Sequence, residues 1–152
     1  LPSSDLQLGA KAFPASLPIR DAAHRALLDR LRRRLPVTAR WRTEAPVTEG
    51  PGSAGTGDLR AWDVALDGLG TRVRVEAETR LGDVQALQRR IGLKQRDGEV
   101  DCVVLLLNDT AHNRLVVRAT PELRTQFPVP ARQAIAALEA GRAPVGNALI
   151  LL

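Results

Sequence analysis

The chain has 152 residues, enough to bury one sizeable core and short for two. Apolar residues make up 44% and charged residues 26%, a globular balance that excludes a disordered chain, and no run approaches the ~20 apolar residues of a membrane span. The net charge of +5 is almost all arginine, with Lys11 and Lys94 the only lysines; it suits a polyanion partner, and equally a GC-rich coding bias over a solvated surface.

The opening residues, Leu1 to Lys11, have neither the basic flank nor the apolar run of a signal peptide. They also lack an initiator Met, so a natural segment is expected to precede them. Leu6, Leu8, Ala10 and Ala12 alternate with other residues as in a short lead strand ending at Phe13-Pro14. From Pro18 to Leu35 the period becomes helical: His24, Leu27, Leu28, Leu31 and Leu35 share one stripe, and Pro36 stops the helix. Arg40 to Val47 reads as a strand with Pro46 confining its end to an edge, and Gly50 to Gly57 as a flexible loop. Strands Leu59–Leu66 and Thr71–Glu78 follow, joined by the hairpin turn Asp67-Gly68-Leu69-Gly70. A helix is expected over Asp83–Arg96, with Val84, Leu87, Ile91 and the Lys94 stem inward and Gly98 as its stop. Val100–Leu107 is a nearly continuous apolar run, as in a central strand covered on both faces. Its Cys102 leaves no internal disulfide, which fits a reducing cytoplasm. Helices near Thr110–Pro121 and over Ala131–Ala140, then a closing strand Asn147–Leu152, complete the chain. This succession predicts a three-layer α/β domain around a mixed sheet.

The hairpin carries the chemistry. With Leu66 opposite Thr71, one face holds Trp62, Val64 and Leu66 against Val73 and Val75, and must be buried. The other places Asp63 opposite Arg74, with Glu76 diagonal to Asp63 and Glu78 one step on. Asp63 and Glu76 would then have Cβ atoms roughly 7 Å or less apart, close enough to share a divalent cation such as Mg²⁺ through oxygen ligands. A solvated face balanced by Arg72 and Arg74 is the plainer explanation of the same pattern.

The run Ala61-Trp62-Asp63 … Val75-Glu76-Ala77-Glu78-Thr79-Arg80 resembles the core of the PD-(D/E)xK phosphodiesterase superfamily, over roughly Asp21 to Leu107. The resemblance implies a restriction-endonuclease-like fold of core order α-β-β-β-α-β. It places Asp63 and Glu76 at metal-ligand positions and Glu78 where the family has its lysine. A carboxylate there cannot stabilise the negative charge that develops on the phosphoryl oxygens, so the resemblance implies a relic or altered site. Some members carry the lysine on the following helix, where Lys94 is the one lysine, beside Gln85, Gln88 and Arg89. Lys94 lies several turns in, and is expected to be far from the strand ends. A second resemblance rests on Leu17-Pro-Ile-Arg-Asp-Ala-Ala-His24, Trp41-Arg-Thr-Glu44, Asp58 to Asp63, Val75 to Arg80, Asp83 to Gln88 and His112-Asn113-Arg114. These runs are similar to the C-terminal region of XRE-like helix-turn-helix regulators of high-GC bacteria, which implies that DNA is met through the full-length protein.

The organisation expected is a single domain over 1–152: a lead strand in 1–16, the motif-bearing core in 17–108, and C-terminal helices with a closing strand in 109–152. Candidate phosphate contacts are Arg32, Arg33, Arg34, Arg80 and Arg89, although the Arg30–Arg34 run also complements a helix C-terminus. His24 on an apolar stripe reads as a packed, hydrogen-bonded histidine. His112 with Asn113 and Arg114 reads as either a functional loop or a polar helix start. Two histidines and one cysteine, far apart, give no zinc spacing, and there is no P-loop, GxGxxG or Ser-His-Asp order, so no nucleotide cofactor is expected. The function expected is a catalytically reduced regulatory or interaction domain of a DNA-binding transcriptional regulator. A metal-dependent DNA endonuclease with a non-standard site is the alternative, and a homodimer through the Arg-rich helix and closing strand a third.

Overall fold

A computed structural model describes residues 16–49 and 57–152. The expected lead strand, and the loop before Gly57, lie outside these residues. Among them five strands form one sheet in the order β1 (Arg40–Pro46), β2 (Ala61–Asp67), β3 (Val73–Glu78), β4 (Cys102–Leu107) and β5 (Ala148–Leu151). The β1–β2 and β2–β3 pairs are antiparallel, β3–β4 and β4–β5 parallel. The sheet is therefore mixed, and the core runs α-β-β-β-α-β as expected.

Helix α1 (Ser16–Arg32) sets Leu27, Leu28 and Leu31 against one face, together with Ala134 and Leu138 of α5 (Ala131–Glu139). The other face is covered by α2 (Val84–Gly98) with Leu87 and Ile91, α3 (Ala111–Ala119) with Val117, and the short α4 (Pro121–Gln126) with Leu123. Alternation distributes β3 and β4 between the two layers. Val73, Val75, Cys102, Val104 and Leu106 face α1, while Val103, Leu105 and Leu107 face α2. β4 is buried at every position, the reason its sequence shows no polar alternation. Cys102 is 1% exposed and burial pushes its thiol up to about 12, so it is a core residue.

Several boundaries differ from the sequence expectation. α1 ends at Arg32, and turn bonds from Arg34 N to Leu31 O and Leu35 N to Arg32 O carry the chain to Pro36. Gly98 is not the stop of α2 but its last helical residue, and Glu99 takes the left-handed position at φ 52°. The glycine serves packing: a Cβ there would meet the Val47 carbonyl at 2.7 Å. Pro121 does not simply break the chain; it opens α4, where its missing N–H costs nothing.

The hairpin register is shifted by two residues from expectation. Leu66 pairs with Val73 and Ala65, not Asp63, lies opposite Arg74. Leu69 is drawn into the core at 5% exposure, flanked by Gly68 and Gly70 at φ 88° and 97°, so the loop needs more chain than a four-residue turn provides. A shift of two preserves side-chain parity, which is why Val64, Leu66, Val73 and Val75 share a face as expected. Trp62 does not. It joins Leu87 and Ile91 on the opposite side. The pleat breaks at Asp63: on β1 the facing residue, Glu44, is left-handed at φ 49°, and the ladder resumes with Ala45 opposite Trp62.

Candidate functional site

The break at Asp63 coincides with a fork in the sheet. The β2–β3 ladder ends at Val64–Val75, yet β2 stays paired with β1 as far as Ala61, and β3 with β4 as far as Glu78. Backbone groups facing into the opening lose their strand partners and must find others. Asp63 Oδ2 accepts the Ala77 N–H at 2.8 Å, and Lys94 Nζ donates to the Ala61 carbonyl at 2.6 Å. One carboxylate and one ammonium thus stand in for missing ladder bonds.

The motif side chains divide about this fork. Asp63 lies toward α1, where His24 Nε2 donates to its Oδ2 at 3.3 Å. Glu76 lies toward α2 and accepts from Lys94 Nζ at 2.5 Å, with the two residues only 6% and 5% exposed. The Lys94 ammonium also sits 4.6 Å from the centre of the Trp62 ring, whose face attracts a cation. Burial, and next the charge of Asp63, push the Glu76 carboxyl above its ordinary value, against the opposing pull of Lys94. Glu78 accepts from Arg90 Nη2 at 3.1 Å.

Two sequence expectations are corrected here. Asp63 and Glu76 do not project side by side from one face, because the pleat reverses at Asp63. Lys94 is not remote: α2 runs back along β3, and its third turn delivers the ammonium to Glu76.

The remaining candidates lie apart. Arg80 lines an open groove of about 640 Å³ with Asp21, His24, Ala77, Glu78 and Thr79. Gln85 and Arg89 line a shallower depression on the outer side of α2, with Gln88, Glu122, Thr125 and Gln126. At the end of α1, Arg32 lies over Trp41 at 5.4 Å and Arg34 bonds Glu139 at 3.3 Å, while Arg33 is exposed. The five arginines do not converge on one patch. β5 is the outermost strand at its end of the sheet.

Other residues acquire partners that the sequence reading did not assign. Asn113, fully buried, accepts from Leu81 N at 2.9 Å and donates to the carbonyls of Thr79 and Asn108. His112 donates to the Leu81 carbonyl at 2.8 Å. This polar helix start clamps the chain leaving β3. Arg74, 2% exposed, bonds Glu49 at 3.0 Å, and Arg42 binds both Glu49 and Asp67. Arg90 carried no sequence signal as the partner of Glu78, since only the packing of α2 on β3 selects it over Arg89.

The donor set does not fit a divalent metal as the motif would require. Glu76 is committed to a buried ammonium, Asp63 to a backbone N–H and a histidine on the other side of the sheet, and Glu78 to Arg90. Among the described residues no group of three or more His, Cys, Asp or Glu is arranged to hold a metal ion. None of their helices is long and apolar enough to cross a membrane. No family model, curated protein or solved structure matches the chain.

Proposed function

We propose that this chain is a catalytically reduced PD-(D/E)xK-like domain, a regulatory or interaction module of a DNA-binding transcriptional regulator. The observation that carries the reduced state is the engagement of all three motif carboxylates by protein groups: Asp63 by Ala77 N–H and His24, Glu76 by Lys94, Glu78 by Arg90. The forked mixed sheet of core order α-β-β-β-α-β supports the ancestry. The regulator context rests on the sequence resemblance, and so does DNA as the partner of the full-length protein.

A second reading is favoured by one contact. Lys94 brings a cation to Glu76 from the helix after the motif, the place to which some superfamily members move their lysine. On that reading the chain is a metal-dependent DNA endonuclease.

Incubation with plasmid and branched DNA in Mg²⁺ or Mn²⁺ separates the two. Asp63→Asn is the control of choice, because its amide oxygen still accepts the Ala77 N–H while the charge is removed. No cleavage by the wild-type chain is expected. Cleavage that vanishes in Asp63→Asn overturns the reduced reading in favour of the nuclease.

A further inference from the structure

The fork needs a positive charge. Glu76 places a carboxylate in a setting where an unpaired charge is costly. The Ala61 carbonyl beside it has lost its strand partner and needs a donor. A divalent cation could meet both needs with oxygen ligands alone. Lys94 meets them instead, at 2.5 Å from Glu76 and 2.6 Å from Ala61 O, with the Trp62 ring beneath it.

We infer that Lys94 is the resident cation of the fork, and that its ammonium excludes divalent ions from Glu76. This rests on the reduced reading and deepens it by naming the group that closes the site. The geometry makes the two cations alternatives. An arriving ion would have to share the Glu76 carboxylate whose Oε1 atom Lys94 holds. The ammonium would then sit within a few ångströms of a doubly charged ion, in buried surroundings, and if displaced would keep only the Ala61 carbonyl of these two acceptors. Removal of the lysine leaves a lysine-sized space lined by Glu76 and a free carbonyl, with Asp63 close enough for its charge to be felt at Glu76.

The test is Mn²⁺ binding by the wild-type chain, Lys94→Ala and Lys94→Gln, each checked for folding by circular dichroism, with Lys94→Ala/Glu76→Gln as control. Lys94→Gln retains a donor and guards against loss of the fold in the alanine variant. The wild-type chain is expected to show no saturable site in the millimolar range. A folded Lys94 variant should bind Mn²⁺ at least about tenfold more tightly, and the Glu76→Gln addition should abolish the gain. A folded variant that gains nothing overturns the inference, as does a wild-type site that disappears in Glu76→Gln. A direct readout needs no variant. With two lysines in the chain, the ¹⁵N-labelled Lys94 ammonium is assignable, and it should remain unbroadened as Mn²⁺ is added. Selective broadening overturns the proposal. Failure of the reduced reading is scored separately, as Asp63-dependent DNA cleavage by the wild-type chain.

Discussion

Lys94 and Glu76 form a buried pair, and such pairs are revealed by removing one partner at a time. Lys94→Met should destabilise the fold by about 3–5 kcal/mol, because it leaves the Glu76 charge without its counter-ion. The double variant Lys94→Met/Glu76→Leu should regain much of that loss; denaturant unfolding of the two single variants and the double measures the coupling. Asp63 has a structural duty beside its place in the motif. Asp63→Ala orphans the buried Ala77 N–H and should cost about 1–3 kcal/mol, whereas Asp63→Asn should cost clearly less. Equal losses in thermal unfolding would remove the backbone bond as the reason. Part of the acid stability turns on Arg42, whose hydrogen bonds are the main cause holding the carboxyls of Glu49 and Asp67 below their ordinary values of 4.5 and 3.8. A carboxyl depressed on folding makes the unfolded chain bind more protons, so stability rises with pH across that interval. The contribution is complete above the ordinary values and is lost as pH falls through the lower folded ones. Arg42→Ala should therefore lower the melting temperature most at neutral pH and least in acid, which flattens the acid limb of a melting-temperature profile.

At the scale of elements, the end of α2 shows how packing can redirect a local signal. Glycine near a helix end normally supplies the left-handed cap. Here the Val47 carbonyl presses so closely that Gly98 is needed inside the helix, and Glu99 accepts the left-handed conformation in its place. Gly98→Ala should cost about 1–3 kcal/mol through overpacking, read as a lower denaturation midpoint. The hairpin offers the parallel case. Leu69 is apolar, and burying it lengthens the turn and moves the register by two residues without changing any face. The reversal at Trp62–Asp63 is different in kind. It coincides with the left-handed Glu44 across the β1–β2 ladder, a feature that neither β2 nor the hairpin sequence signals.

For the whole molecule, the arginines bear on the DNA contact proposed above. Arg32 is stacked on Trp41 and Arg34 tied to Glu139, so of the run at the end of α1 Arg33 is the freest to meet a phosphate. Replacing Arg32, Arg33 and Arg34 together by Gln should lower the slope of log K against log salt by about 0.9, one phosphate contact, and hardly more than Arg33→Gln alone. A threefold larger change in salt-titrated binding would mean that all three reach the backbone. The sequence by itself determined the layering: helical and strand periods, the apolar run of β4 and the parity of the hairpin are local patterns, and burial requires them to be met by an α/β sandwich around a mixed sheet. It also determined the residue types of the hairpin, including Glu78 at the position where the proposed PD-(D/E)xK resemblance would have a lysine. Only the tertiary structure decided which of those residues meet. The fork, the turning of Asp63 to α1 and of Glu76 to α2, and the arrival of Lys94 between β2 and β3 depend on where separate elements pack, and charge pairs form across those gaps wherever lost backbone bonds must be replaced.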